Sequence, residues 1–132
     1  MNVLDSLKAA GADTEDGLKR CLGKEDFYLK MINLALKNEN FELLEGALKT
    51  EDYVKSFELC HALKGVIANV SLTPLYDLIS DLTEKLRACT GTVQVETGTP
   101  LEKRGEDFLE LYKKIRKIQK NFLSLVENSS EL

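Results

Sequence analysis

The sequence predicts an all-α protein, an antiparallel four-helix bundle with short extra helices at the N-terminus. Three observations lead to this prediction. Apolar residues recur every three or four positions through most of the chain, which is the period of helices with one buried face. Clusters of Asn, Ser, Thr, Gly and Pro interrupt that pattern and leave long segments of similar length. Helices of this kind bury their apolar faces economically in an antiparallel bundle.

Composition narrows the class of protein. A chain of 132 residues is one domain by length and is long enough to bury a core without disulfides. Its three widely spaced cysteines and single histidine make no convincing zinc site, and we expect reduced thiols in a cytoplasmic protein. No apolar run approaches the roughly 18–20 residues of a membrane span, so no membrane association is expected. The net charge of −4 argues against nucleic acid as a partner.

Two short helices are predicted before the bundle. Residues 2–9 form the first, which Gly11 ends. Asp13 or Thr14 caps the second, for which Gly23 is the stop signal. We expect both helices to cover one end of the bundle.

The first bundle segment is predicted as two helical pieces on either side of a polar break at residues 38–40. The first piece runs from residue 25 to about residue 37. Its helical spacing rests on Phe27, Met31 and Leu34. The second piece has the same spacing in Phe41, Leu44 and Leu48.

The next helix is predicted over about residues 51–70 and holds the only histidine, His61. At about 100° per residue, one stripe of this helix faces a core. That stripe consists of Tyr53, Phe57, Cys60, Leu63, Ile67 and Val70. His61 lies at the flank of the stripe, whereas Cys60 faces the core and is expected to act as a small hydrophobic residue.

The chain then breaks and begins another helix. Thr73 is a good N-cap, and Pro74 suits the first helical position. The apolar stripe of this helix, which ends near Cys89, consists of Leu75, Ile79, Leu82 and Leu86.

The last helix is predicted over residues 101–127, after an exposed loop at residues 90–100. Its near-heptad stripe consists of Leu101, Phe108, Leu111, Ile115, Ile118, Phe122 and Leu125. Such a stripe also suits a coiled coil between chains, but its length matches the bundle, so we favour packing within a monomer. The chain is thus interpreted as a single domain, residues 1–132. Residues 1–23 cap it, residues 25–89 and 101–127 form the bundle, and residues 90–100 form the loop.

The surroundings of His61 suggest a docking site for an anionic group. Lys64 is close enough along the helix to swing its ammonium beside the imidazole. Gly65 and Ala68 fall on the same side as His61, so nothing bulky shields the ring from that direction. A helix-interior glycine costs roughly 1 kcal/mol relative to alanine, and room for a phosphoryl group or a partner backbone would explain it. A neutral imidazole is a nucleophile, and phosphoryl transfer requires mainly alignment and charge stabilisation.

The run His61-Ala62-Leu63-Lys64-Gly65, followed by Ala68 and Asn69, resembles the signature of the histidine-containing phosphotransfer (HPt) domain. That signature is histidine, any residue, leucine, lysine, glycine, then a small residue and often asparagine. Ser71 departs from it, because many members have glycine there. A second set of residues looks like the segment that precedes the bundle in many bacterial members: Gly11-Ala12-Asp13, Gly17-Leu18-Lys19-Arg20 and Gly23. The resemblance covers roughly residues 10–88.

The resemblance implies a phosphohistidine carrier of a two-component phosphorelay. His61 would accept a phosphoryl group from a receiver-domain aspartate and pass it to another receiver, with Lys64 stabilising the phosphate and Gly65 giving access. The implied partners are response-regulator receiver domains, a hybrid sensor histidine kinase or both, which would dock around Glu58 and Ala68. No cofactor or metal of its own is expected, and Mg²⁺ would come from the receiver. The sequence has no nucleotide-binding glycine loop, so no autonomous kinase activity is expected.

One alternative is a non-phosphorylated, HPt-like helical adaptor that binds and regulates a receiver or a kinase. The retained histidine argues against it, because an inert adaptor has no need of one. Binding that survives His61→Ala with its regulatory effect intact would favour the adaptor.

Overall fold

The computed structural model describes the backbone of residues 2–90 and 101–129 and the side chains of residues 2–90 and 107–128. Within these ranges the chain forms helices and no strands, which confirms the all-α prediction. The predicted loop at residues 90–100 lies outside the described residues except for Thr90, which ends a helix. In chain order the helices are α1 (Val3–Ala9), α2 (Thr14–Arg20), α3 (Glu25–Leu36), α4 (Asn40–Lys49), α5 (Tyr53–Ala68), α6 (Thr73–Thr90) and α7 (Leu101–Ser129).

Local capping explains why several helices begin where they do. The side chains of Asn2, Asp13 and Asp52 each accept a hydrogen bond from the backbone N–H three residues later, at the starts of α1, α2 and α5. Gly11 and Gly23 adopt positive φ angles of 101° and 74° just after α1 and α2, a conformation that favours glycine. The predicted N-terminal helices are therefore confirmed.

Four helices contact one another in a closed ring. Helix α4 packs on α5, α5 on α6, α6 on α7, and α7 returns to α4. Helices α1 and α3 also pack against α7. Buried side chains of the ring include Phe41, Leu44, Leu63, Ile67, Leu75, Ile79, Leu82, Ile115 and Phe122. All nine belong to the predicted stripes, so the sequence indicated the buried faces of these four helices correctly.

Helix α3 buries a different face from the one that its predicted spacing marked. Phe27 and Leu34 are exposed, at 45% and 58% of their surface, and Met31 is half-buried. The buried face instead consists of Tyr28, Ile32, Ala35 and Leu36. Apolar residues occupy most of the circumference of α3, so its own periodicity could not decide which side would face α7.

The junction between α5 and α6 also differs in detail from the prediction. Thr73 is the first helical residue of α6 rather than its cap, because the carbonyl of Leu72 accepts the hydrogen bond from the N–H of Tyr76 at 2.9 Å. Such one-residue shifts are common at helix ends. None of the helices within residues 2–90 and 101–129 combines the length and apolar character needed to cross a bilayer.

Candidate functional site

Helix α5 presents His61 to solvent. Its buried residues are Ser56, Leu59, Cys60, Leu63 and Ile67, and they fix the rotation of the helix against α4 and α6. His61 follows the fully buried Cys60 and is itself exposed, at the edge of the apolar stripe. The imidazole therefore stands in water on a helix that its neighbours hold in place.

The surface on the C-terminal side of His61 is open. Gly65 is exposed, and a Cβ atom built on it would meet no heavy atom within 4 Å. Ala68 is half-buried one turn further along α5, and Glu58 is exposed three residues before His61. All the residues that the sequence suggested for docking are thus on helix α5, with the imidazole between them.

On the N-terminal side of His61 an aromatic ring covers the imidazole. The centroids of the Phe57 and His61 rings are 5.8 Å apart, and the ring planes differ by 17°, as in a stacked pair. The sequence had placed Phe57 in the core stripe, but it is only partly buried. Its position four residues before His61 is the signal that could have predicted the contact.

The Lys64 side chain contacts helix α6. Its Nζ atom lies 3.9 Å from Oε1 of Glu84 and 6.0 Å from the centroid of the Tyr76 ring. The sequence indicated that this ammonium could swing beside the imidazole. In the structure its contacts are a carboxylate and an aromatic face of α6, both of which attract a cation.

Glu84 and Arg87 of α6 also belong to the site, and the sequence analysis missed both of them. Nε of Arg87 lies 3.2 Å from Oε2 of Glu84, and its guanidinium carbon lies 4.9 Å from the centroid of the Phe57 ring. Glu84 therefore pairs with both Lys64 and Arg87. More than 20 positions separate these α6 residues from His61 in the sequence, so no local pattern could have indicated them.

Cys60 is a core residue, as predicted. Its thiol is fully buried, and the hydroxyl of Thr83 donates a hydrogen bond to its Sγ atom at 3.1 Å. Burial raises the pKa of the Cys60 thiol to about 11, against the weaker opposing effect of the Thr83 hydrogen bond. At neutral pH Cys60 is a protonated thiol and no nucleophile.

The region of α2 is bonded to the turn that follows α5. The hydroxyl of Ser71 donates a hydrogen bond to Oδ2 of Asp16 at 2.6 Å, and the backbone N–H of Asp13 donates to the carbonyl of Ser71 at 2.9 Å. The Ser71 hydrogen bond, followed by that of Arg20, lowers the pKa of Asp16. Helix α2 is thereby fastened to the turn that follows α5.

In the described part of the chain, no group of three or more His, Cys, Asp or Glu side chains is arranged to hold a metal ion. Basic residues cluster in the middle of α7, where Lys113, Lys114, Lys117 and Lys120 are exposed and Arg116 is half-buried. No protein-family model, curated protein or solved structure matches this chain.

Proposed function

We propose that this protein is a phosphohistidine carrier of a two-component phosphorelay, with His61 as the phosphoacceptor. The observation that carries the proposal is the exposed imidazole of the only histidine in the chain, beside a glycine with open space around it. The HPt-like run from His61 to Gly65 supplies the chemical class of the group that docks there. A carrier needs this combination, because two different partners must each bring a bulky active site to the same nitrogen.

The proposed transfer uses little chemistry from the carrier. The lone pair of the unprotonated imidazole nitrogen forms a bond to phosphorus, while the bond between phosphorus and the aspartyl oxygen of the receiver breaks. The aspartate leaves as a carboxylate with the bonding electrons, and the other ring nitrogen of His61 keeps its proton. Transfer to the second receiver is the reverse reaction. Catalysis then consists of alignment and charge stabilisation, with Mg²⁺ supplied by the receiver.

The packing of the helices supports an HPt-like architecture for this function. We infer that α4, α5, α6 and α7 form an antiparallel four-helix bundle, because each contacts two neighbours in a closed ring. His61 lies near the middle of α5, so a receiver can approach the side of the bundle. We expect docking around Glu58, Gly65 and Ala68, in a modest and transient interface typical of signalling partners. The protein would act as a cytoplasmic monomer.

The proposal is tested by phosphotransfer from isotopically labelled receiver domains. A panel of purified receivers is labelled on aspartate with ³²P-acetyl phosphate and mixed with the native chain, His61→Gln or Glu110→Gln. Glu110 lies on exposed α7 surface and serves as a matched control. We expect acid-labile, base-stable label on the native chain and on Glu110→Gln, and none on His61→Gln.

Two results would count against the carrier. Label on His61→Gln equal to that on the native chain would refute the site. The absence of label with every receiver, together with binding of a receiver or kinase that survives His61→Ala and keeps its regulatory effect, would establish the adaptor instead.

A further inference from the structure

Glu84 of α6 pairs with two cations, one on α5 and one on its own helix. Its two carboxylate oxygens face different cations, Lys64 at 3.9 Å and Arg87 at 3.2 Å. Arg87 also lies over the Phe57 ring, whose other ring neighbour is His61. Lys64 of α5 and Arg87 of α6 thus share one carboxylate, and the pair of cations keeps a net positive charge next to the ring that stacks on His61.

We propose that Glu84 holds Lys64 and Arg87 while His61 is unmodified, and that both cations move to the phosphoryl group when His61 carries it. This inference rests on the proposed function. Arg87 then becomes a second phosphate-binding residue, contributed by α6, and Glu84 is a positioning residue that acts through the two cations. Phe57 aids the exchange because its ring contacts both the guanidinium and the imidazole.

The relative strengths of the interactions favour this exchange. The side chains of Glu84 and Arg87 are 55% and 53% exposed, and an ion pair in water at such exposure contributes little. The pair with Lys64, at 3.9 Å, is long. A phosphoryl group carries a charge of about −1.5 to −2 and three strong acceptor oxygens, against the single charge of a carboxylate. The guanidinium of Arg87 is well suited to bind it, because its planar donors match phosphate geometry.

Exchange of partners also explains why a carrier would have Glu84 at all. Without the carboxylate, the two cations would bind the phosphoryl group more strongly and would draw the equilibrium toward the phosphorylated carrier. A carrier must also release the group to a second receiver. Glu84 competes with the phosphoryl group for both cations and so brings the two directions of transfer closer to balance.

The test is the equilibrium constant for phosphoryl exchange between the carrier and one purified receiver that labels His61. This constant refers to the free proteins, so effects of a mutation on docking rates cancel. We expect Arg87→Gln to lower the phosphorylated fraction of the carrier, with a constant reduced about threefold. Arg87→Lys keeps the charge but not the planar donors, so it should recover only part of that loss. Glu84→Gln should raise the constant about threefold. In a Lys64→Gln/Arg87→Gln background, Glu84→Gln should have almost no effect.

Glu110→Gln is the matched control, because Glu110 and Lys113 form an exposed pair three residues apart on α7, at 3.4 Å. It should leave the constant unchanged. An effect of Glu84→Gln that persists in the double-mutant background would mean that Glu84 repels the phosphoryl group directly, and would overturn the holding role. Unchanged constants in Glu84→Gln and Arg87→Gln would overturn the inference but not the proposed function. Failure of every receiver to label His61 would overturn both.

Discussion

Gly65 lies in the interior of α5, on the side of the helix that carries His61. Its backbone does not adopt the positive φ that would favour glycine, since the glycines with positive φ among the described residues are Gly11 and Gly23. Nothing packs against it within 4 Å of a built Cβ. Neither conformation nor packing therefore requires glycine at this position, and the same holds for Gly46 on α4, so the proposed role of Gly65 in access to the imidazole needs a direct test.

Substitution of Gly65 separates access from stability, and Gly46 on α4 provides the matched control because its built Cβ also meets nothing within 4 Å. Gly65→Ala and Gly46→Ala should each raise the free energy of unfolding by about 0.5–1 kcal/mol, because alanine restricts the unfolded chain and favours helix. Gly65→Gln should slow phosphotransfer roughly tenfold or more, whereas Gly46→Gln should not. Urea denaturation and the rate of label transfer measure the two effects. Equal rates for Gly65→Gln and the native chain would show that Gly65 does not provide access.

At the level of single residues, the sequence predicted what depends on helical geometry alone. The exposure of His61 and the burial of Cys60 followed from their positions around one helix. The direction of the Lys64 side chain could not be predicted in this way, because its partner Glu84 belongs to another helix. Arg87 was missed for the same reason.

Among the structural elements, the turn between α5 and α6 joins three parts of the chain. Ser71 has a φ angle of 57°, a left-handed conformation, and its side chain and carbonyl hold Asp16 and Asp13 of the α2 region. Just before it, the carbonyl of Val70 accepts a hydrogen bond from the hydroxyl of Tyr28 at 2.8 Å.

Replacement of Ser71 tests the strain in this turn. Ser71→Ala should be less stable than Ser71→Gly by about 1 kcal/mol. A left-handed φ brings the Cβ of an L-residue too close to the backbone carbonyl, and glycine has no Cβ. Both variants lose the hydrogen bond to Asp16, so the pKa of Asp16 should rise toward its ordinary value in both, as measured by NMR titration. The native hydrogen bond stabilises the fold above the ordinary pKa of the carboxyl and loses its effect as the pH falls through the lowered pKa. Equal stability of the two variants would contradict the strain.

The elements themselves were largely predictable because several of their ends carry chemical signals. Asp13 caps α2, and Gly11 and Gly23 follow helix ends, as predicted, whereas the caps at Asn2 and Asp52 were not predicted. The orientation of α3 was not predictable, because an apolar residue on nearly every side gives no preferred face. The packing of α3 against α7, α2 and α5 decides that Tyr28 and Ile32 are buried while Phe27 and Leu34 face outward.

On the scale of the whole molecule, two buried tyrosines join distant segments. The hydroxyl of Tyr28 on α3 donates to the carbonyl of Val70, and that of Tyr112 on α7 donates to the carbonyl of Phe41 at 2.7 Å. Burial raises the pKa of both phenols to about 12. The stripe predicted for α7 omitted Tyr112 and the buried Gln119, because periodicity of purely apolar residues overlooks polar groups that find partners in the core.

These groups should make the protein sensitive to alkali. The pKa of the two phenols is about 12 in the folded protein and about 10 in the unfolded chain. The pKa of the Cys60 thiol is about 11 in the folded protein and about 9 in the unfolded chain. The unfolded state therefore loses protons first, and the free energy of unfolding should fall as the pH rises from about 9 to 12. Urea denaturation at several pH values measures this fall.

Tyr112→Phe provides the comparison for that measurement. It should cost about 1 kcal/mol at neutral pH, since the buried carbonyl of Phe41 loses a donor, and it should reduce the fall above pH 10. A free energy of unfolding that stays constant to pH 12 in the native protein would contradict the protonation of these buried groups.

The stacking of Phe57 on His61 gives this protein a built-in spectroscopic reporter. Protons of an imidazole that lies over an aromatic ring are shifted by its ring current, and the chain has no other histidine to confuse the assignment. Any event that tilts or modifies the imidazole, such as docking of a partner or attachment of a charged group, changes its distance from that ring. A pair of carbon-bound imidazole resonances is therefore enough to follow the state of the site in real time, without a label on the partner.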